Sequence, residues 1–250
     1  RILWGWILAV LLLSISMGTV NVQAAKLKLN KTKVTVYKGC TETLKVTGSK
    51  KKVKWSSSKK AVASVSSSGK IKGKKKGTTV IYAKVGKQTL KCKVTVKEPS
   101  NAQRLNLAKK EARKIVKKYV ISNLNTKERA FVLFQYLTEH CCWQLNQSTE
   151  AYKKNYGNEA YAALILKKAA CSGYARAYKL LCEAAGIPVR HVNAGSWTHQ
   201  WNEIKANGKW IKVDAYGGTF ADTTGIRKSL LKENKNKEQL VFKFVMEEEE

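Results

Sequence analysis

Apolar and polar residues alternate along the first part of the chain. In the run 90–96 every second residue is apolar, and lysine or threonine occupies the positions between them. This period is typical of a β-strand with one buried face. Similar short runs, including 34–36 and 43–46, are separated by glycines at the spacing of a small sandwich. The pattern predicts an all-β domain over residues 26–97.

The period changes after the polar break that begins at Glu98, which predicts a linker over residues 98–104. Apolar residues then recur at helical spacing, and Asn125 with Glu128 three residues later marks one helix start. Helices are predicted from about 105, after Asn125, over 158–168 and over 171–186, and strands over 189–192, 199–205 and 210–214. Helices followed by an antiparallel sheet predict an α+β domain over residues 105–250.

An apolar stretch opens the sequence. Residues 2–20 are nearly all apolar, and the small residues Ala24 and Ala25 follow at the place where a signal peptidase cleaves. The apolar core is shorter than the roughly 20 residues of a membrane-spanning helix. We therefore predict a signal peptide over residues 1–25, a secreted or cell-surface protein, and no stable membrane insertion after cleavage. An uncleaved membrane anchor is the alternative.

The protein is strongly basic. It has 48 Lys and Arg against 17 Asp and Glu, which gives a formal net charge of +31. Residues 26–97 hold 22 Lys and a single acidic residue, Glu42. Such a charge favours a polyanionic partner. Nucleic acid is not expected, because the protein is exported and the basic segment has few aromatic residues and no recognition helix. We expect anionic cell-wall polymers, with a merely solubilising coat as the alternative.

Three residues of the second half have the chemistry of a thiol catalyst. Such a site needs an accessible sulfur that ionises, an imidazole in hydrogen-bond reach, and a group that orients the imidazole. Cys171 stands among small residues at a predicted helix start, where a thiolate is favoured. A hairpin can place His199 and Asp214 side by side. The alternatives are a buried helix-start cysteine, a surface histidine and a strand-end turn residue.

The strings around these residues resemble the signature of the transglutaminase-like superfamily, whose catalytic domain is papain-like. They are Cys171-Ser172-Gly173-Tyr174-Ala175, Leu180-Leu181, Ala185-Gly186-Ile187-Pro188-Val189-Arg190, His199-Gln200-Trp201-Asn202-Glu203 and Trp210-Ile211-Lys212-Val213-Asp214. The resemblance implies Cys171 as nucleophile, His199 as general base and acid, and Asp214 as the group that orients His199. Trp201 and Tyr174 are expected to line the substrate cleft.

Two strings depart from the family's usual pattern. Ala170 precedes the cysteine where the family often has Val, and Ala215–Gly218 follows the aspartate where Pro-Thr-Trp is more usual. Neither departure removes a catalytic atom, but because of both the sequence does not determine the identity of the substrate. The backbone N–H of Cys171 is one candidate donor to an oxyanion. Trp143 and Gln144 are candidates for a second donor, with simple packing as the alternative.

The chain contains six cysteines. Cys40 and Cys92 have the alternation parity of inward-facing residues, so a disulfide between them is expected in an exported protein. Two buried thiols are the alternative. The spacing of cysteine and histidine does not match a zinc site, so we expect neither a metal nor another cofactor.

The first half resembles the bacterial immunoglobulin-like domain of group 2. The strings that carry the resemblance are Val53-Lys54-Trp55-Ser56-Ser57-Ser58, Val62-Ala63-Ser64-Val65, Ser68-Gly69-Lys70-Ile71, Lys76-Gly77-Thr78-Thr79-Val80-Ile81 and Cys92-Lys93-Val94-Thr95-Val96. In that family the domain is usually a surface-exposed spacer or adhesion module without enzymatic activity.

Together these features predict an exported bacterial cysteine hydrolase or acyl-transferase that acts on amide bonds of proteins or peptides through a thioester. Hydrolysis is slightly favoured over transfer to an amine, because water needs no second docking site. A cell-wall peptidase is one alternative, since Cys-Ser-Gly also occurs in the NlpC/P60 type. A non-catalytic cell-surface binding or adhesion protein is the other.

Overall fold

The first domain consists of short strands. The computed structural model describes residues 26–143, 156–195 and 198–235, so the predicted signal peptide lies outside the described residues. The strands are β1 (Lys28–Leu29), β2 (Lys33–Tyr37), β3 (Thr41–Thr43), β4 (Val46–Thr47), β5 (Lys54–Ser57), β6 (Ala63–Val65), β7 (Lys70–Gly73), β8 (Gly77–Val85) and β9 (Gln88–Lys97).

Two sheets of these strands enclose one core. The first has the order β2-β9-β8-β5, with β2 parallel to β9 and the other pairs antiparallel, and the second has the order β3-β7-β6. Along β9 the buried residues Cys92, Val94 and Val96 alternate with solvent-facing ones. Ala63 and Ile71 from the second sheet belong to the same core. The predicted all-β sandwich is therefore confirmed.

Cys40 and Cys92 do not form the predicted disulfide, since both are free thiols. Cys40 lies in the turn after β2, whose last residue Tyr37 pairs with Lys97 of β9. Cys92 precedes Lys97 by five residues on the same strand, which corresponds to about 16 Å. A disulfide requires Cα atoms within about 7 Å of each other. The alternation of apolar and polar residues shows which face of the sheet a side chain is on, but it does not give its position along the strand.

Helices precede a second antiparallel sheet in the second domain. The elements are α1 (Asn101–Tyr119), α2 (Thr126–His140), β10 (Cys142–Trp143), a π-helix (Ala162–Leu166), β11 (Lys168–Ala169), α3 (Cys171–Ala184), β12 (Val189–Asn193), β13 (Gln200–Ala206), β14 (Lys209–Asp214), β15 (Thr219–Phe220) and α4 (Lys228–Lys235). The sheet order is β12-β13-β14-β15, and β10 pairs with β11 in parallel. This mixed architecture confirms the predicted fold class.

Two predicted boundaries are wrong. The linker ends before Asn101, because Ser100 and Gln103 form a capping box that starts α1 earlier than expected. The helix expected over 158–168 is largely a π-helix, and it ends at Lys167 with a φ of 65°. No helix within the described ranges is long and apolar enough to cross a membrane.

Helix α3 lies at the centre of the second domain. Its buried face includes Tyr174, Tyr178 and Leu181, and it packs against α1, α2 and β13. The hydroxyl of Tyr178 donates a 2.9 Å hydrogen bond to the carbonyl of Ala130 in α2. The helix is terminated at Gly186, whose φ of 67° is favourable for glycine. These contacts fix the helix whose first residue is Cys171.

Candidate active site

Cys171 is the first residue of α3. Ala170 before it has an extended backbone, and the first helical hydrogen bond runs from the Tyr174 N–H to the Ala170 carbonyl at 3.0 Å. Cys171 is half-buried, so the residue is partly open to solvent. The first N–H groups of a helix have no acceptor within the helix. The N–H of Cys171 is therefore available to a developing negative charge near the sulfur.

His199 and Asp214 form a hydrogen-bonded pair. Nε2 of His199 lies 2.6 Å from Oδ2 of Asp214. A carboxylate only accepts hydrogen bonds, so Nε2 carries the proton and Nδ1 of the neutral ring is left as an acceptor. Asp214 is 6% exposed, and its Oδ1 accepts a 2.8 Å hydrogen bond from the Gly217 N–H. Both carboxylate oxygens therefore have donors, and the carboxylate is buried, whereas the His199 side chain is 34% exposed.

Tyr216 connects this pair to the helix of Cys171. The centroid of its ring lies 6.0 Å from that of His199 and 5.5 Å from that of Tyr174. Tyr174 is one turn beyond Cys171 on the same face of α3. Sequence reasoning missed Tyr216 as a site residue. The signal was the atypical run after Asp214, which places a large aromatic residue two positions from the carboxylate.

The two predicted cleft residues have different positions. The indole ring of Trp201 lies 6.0 Å from the imidazole of His199, so this half-buried residue is beside the pair of His199 and Asp214. Tyr174 is 1% exposed, and its hydroxyl donates to the carbonyl of Cys141. The prediction that Tyr174 lines the cleft is wrong, because Tyr174 and Tyr178 lie on the same buried face of the helix.

Trp143 lies next to the start of helix α3. In the parallel pair of β10 and β11 it is in register with Ala169, two residues before Cys171. Its ring lies 5.7 Å from that of Tyr216. Because it pairs with the residue two positions before Cys171, Trp143 stays a candidate oxyanion donor. Gln144, the other candidate, lies outside the described residues.

The remaining cysteines of this domain differ from Cys171. Burial raises the pKa of the Cys141 thiol to about 12 and also raises the pKa of Cys182, which is fully enclosed. Cys142 is exposed and provides a reference thiol in the same chain. Within the described residues, no group of three or more His, Cys, Asp or Glu side chains is arranged to hold a metal ion.

Solved structures resemble parts of this chain. Domains 4 and 5 of the S-layer protein SbsC are 30% identical over 28% of this chain and 50% of that chain, with a TM-score of 0.24. A TGase is 13% identical over 59% of this chain and 46% of that chain, with a TM-score of 0.39. A termite-gut GH10 xylanase with a bacterial Ig-like domain is 19% identical over 35% of this chain and 23% of that chain, with a TM-score of 0.28. This chain spans half or less of the length of each of these matched chains.

Family models identify both domains. The comparison with curated proteins finds no match. Residues 16–96 match the bacterial Ig-like domain (group 2), and residues 113–215 match the transglutaminase-like superfamily. The second range contains Cys171, His199 and Asp214. The chain therefore carries a domain of the transglutaminase-like superfamily, preceded by a bacterial Ig-like domain of group 2.

Proposed function

We propose that this protein is an exported enzyme that uses a thiol to hydrolyse or transfer the acyl group of amide bonds in proteins or peptides. The observation that carries the proposal is the 2.6 Å pair of His199 and Asp214, which contacts the helix of Cys171 through Tyr216. Cysteine protease and acyl-transferase activities are typical of the transglutaminase-like superfamily, to which residues 113–215 belong.

The proposed first step is acylation of Cys171. Nδ1 of His199 accepts the thiol proton while the sulfur attacks the amide carbonyl, and the charge that develops on the carbonyl oxygen is stabilised by the Cys171 N–H. The C–N bond then breaks, the leaving amine takes the proton from His199, and a thioester remains. The Asp214 carboxylate accepts the Nε2–H, so it holds the ring and stabilises the imidazolium.

The second step is attack on the thioester by water or by a primary amine. His199 removes the proton of the attacking group, and the Cys171 sulfur leaves and is protonated again. Water gives hydrolysis, and an amine gives a new amide bond. We favour hydrolysis, since water needs no second docking site. The triad serves both outcomes, so the balance depends on how well the cleft excludes water.

The activity is tested by incubating the mature protein with a glutamine-rich protein and a fluorescent primary amine. New amino termini report proteolysis, and fluorescence in the substrate reports transfer. We expect at least one product, with new termini dominant, and its loss in Cys171→Ala. Asp214→Asn replaces the carboxylate by a carboxamide of the same shape without the charge. It should reduce the rate by about two to four orders of magnitude. Products that persist in Cys171→Ala would contradict the proposal.

The outer face of the first sheet supports a surface-bound location. Lys33 and Lys93 are directly opposite across β2 and β9, and Lys54 and Lys84 are directly opposite across β5 and β8. All four are exposed, and like charges in opposite positions destabilise a sheet. Glu42, the acidic residue of this segment, pairs with Lys31 at 3.0 Å on the second sheet's strand β3. We call this surface the lysine face; it consists of Lys33, Lys54, Lys84, Lys91 and Lys93. It therefore has no acidic side chain from its own domain to neutralise it.

We propose that this lysine face binds a linear phosphodiester polymer of the bacterial envelope and so places the enzyme at the cell surface. Lys91 and Lys93 are two residues apart on β9, which spaces their charges by about 7 Å along the strand. A polymer with regularly repeated phosphates matches such a row. Nucleic acid is disfavoured, because this face presents the half-buried Tyr82 and Tyr37 rather than a platform of stacked aromatic rings.

The lysine face has a charge-matched control within the same domain. Glutamine at Lys33, Lys91 and Lys93 removes three charges from the face, and glutamine at residues 50–52 removes three exposed lysines from a loop. Binding to poly(glycerol phosphate) should weaken about tenfold in the first variant and only a little in the second. In both variants binding should also weaken as the salt concentration rises. Equal losses would indicate an unspecific basic coat. Equally tight binding of single-stranded DNA would contradict the choice of polymer.

A further inference from the structure

The backbone of residues 157–159 touches the start of the catalytic helix. The N–H of Ala170 donates a 3.0 Å hydrogen bond to the carbonyl of Gly157. A Cβ atom on Gly173 would lie 2.4 Å from the same carbonyl oxygen and 3.2 Å from that of Glu159. Ala170 and Gly173 flank Cys171 in sequence. The position of the Cys171 sulfur therefore depends on where this short segment lies.

Arg104 holds that segment in place from helix α1. Its guanidinium donates to both carboxylate oxygens of Glu159, at 2.6 and 2.8 Å, and to the carbonyl of Pro99 at 2.9 Å. It also lies over the ring of Tyr156, 4.2 Å from the centroid. Arg104 is 7% exposed, so its guanidinium is largely shielded from water, while the Glu159 side chain is 32% exposed. A planar, bidentate contact of this kind fixes direction as well as distance.

The Ig-like domain docks on the continuation of the same segment. The hydroxyl of Tyr161 donates to the carbonyl of Lys38, which lies in the turn after β2. Gly39 in that turn is so close to the π-helix that a Cβ atom would lie 2.5 Å from Leu166 and 3.0 Å from Ile165. The linker therefore joins two packed domains, and the first domain contacts the part of the chain that leads into Cys171.

We propose that Arg104 and Glu159 are positioning residues that hold Cys171 in its reactive geometry, and that the docked Ig-like domain completes this support. The inference rests on the proposed thiol chemistry. It predicts that breaking the Arg104–Glu159 pair slows the reaction of Cys171 without changing a catalytic atom. It also gives the Ig-like domain a role in the catalytic unit besides surface placement.

The first test is Glu159→Gln in the full chain, with Glu128→Gln as a matched control. Glu128 forms a comparable bidentate pair with Arg227, at 2.6 and 2.9 Å, at the start of α2. The measurement is the rate at which iodoacetamide labels each cysteine at pH 7, together with the melting temperature. We expect Glu159→Gln to slow labelling of Cys171 about tenfold or more, because small displacements from a reactive geometry have large kinetic effects.

The other cysteines distinguish positioning from general loosening. Cys142 is exposed and should label at the wild-type rate, and the buried Cys141 should stay protected. In Glu128→Gln the melting temperature should fall while the labelling rate of Cys171 changes less than about twofold. If Glu159→Gln labels Cys171 at the wild-type rate, or if both variants slow it equally, the proposal is wrong. Failure of the proposed function looks different: wild-type Cys171 would then react no faster than Cys142.

The docking contact is tested by Gly39→Ala, with Gly86→Ala as its control. Both glycines have positive φ, 79° and 58°, so both substitutions strain the backbone. A Cβ atom on Gly86 meets no atom within 4 Å, whereas one on Gly39 pushes against Leu166. We expect Gly39→Ala alone to slow labelling of Cys171, by about threefold or more. Equal rates in the two variants would overturn the role of the Ig-like domain in this support.

Discussion

The N–H of Gly217 lies 2.8 Å from Oδ1 of Asp214, the carboxylate whose other oxygen holds His199. A Cβ atom on Gly217 would lie 2.7 Å from Oδ2 and 3.1 Å from Cγ of this aspartate. The turn after β14 therefore wraps its backbone around the carboxylate. The absence of a side chain at residue 217 allows this close approach.

Gly217→Ala should disable the enzyme more than it destabilises the fold. The new methyl group displaces the Asp214 carboxylate, and His199 loses the partner that fixes its proton on Nε2. We expect kcat to fall about 100-fold or more, in line with the loss of an orienting carboxylate. Gly218→Ala is the control, since its φ of 71° brings strain but its Cβ meets no atom within 4 Å. Similar kcat losses in the two variants would contradict this account.

Tyr216 should act through its ring. It packs against His199, Tyr174 and Trp143, and aromatic pairs of this kind each contribute about 0.5–1.5 kcal/mol beyond area burial. Tyr216→Leu should lower kcat/KM about tenfold or more, whereas Tyr216→Phe keeps the ring contacts and should stay closer to wild type. Steady-state rates of both variants check this. A leucine variant as active as wild type would remove Tyr216 from the site.

Gly173→Ala tests the contact between α3 and residues 157–159. Alanine inside a helix is usually more favourable than glycine by about 1 kcal/mol. Here the added Cβ would lie 2.4 Å from the Gly157 carbonyl oxygen, so the start of the helix has to move. We expect lower stability and slower labelling of Cys171, measured by thermal unfolding and alkylation. A variant that is more stable than wild type and equally reactive would contradict the close contact.

The Glu128–Arg227 pair predicts an acid-sensitive part of the stability. Hydrogen bonds from Arg227 lower the pKa of Glu128 to about 2. A lowered folded-state pKa contributes stability above the unfolded pKa of about 4.3, and this contribution is lost as the pH falls towards 2. Glu128→Gln should cost about 1–3 kcal/mol at pH 7, and the difference from wild type should shrink as the pH falls. Denaturant unfolding at several pH values measures this. A difference that is independent of pH would contradict the pair's role.

Much of the fold was readable from local patterns. The capping box of Asn125 and Glu128, the helix that begins at Cys171, and the hairpin of β13 and β14 all depend on residues close in sequence. Short-range hydrogen bonds and side-chain period determine such elements. The run 43–46 is not one strand, because Thr43 pairs with Lys70 of β7 whereas Val46 pairs with Leu29 of β1.

The long-range contacts around the site were not readable. Arg104 and Glu159 are 55 residues apart, and neither belongs to a recognisable motif. The positions of Tyr216 and Gly217 also required the structure, because their partners come from α3, β10 and the carboxylate of Asp214. The predicted disulfide failed for a related reason, since sequence parity fixes a face but leaves the distance along the strand open.

The most direct test of the central claim is the alkylation rate of Cys171 relative to Cys142 in the same molecule. Cys142 is the more exposed thiol, so access alone would make it react first. We expect that iodoacetamide at pH 7 labels Cys171 faster, that His199→Ala removes this advantage, and that Cys171→Ala leaves the labelling of Cys142 unchanged. Labelling of Cys171 no faster than Cys142, and indifferent to His199→Ala, would contradict an activated thiol and with it the proposed enzyme.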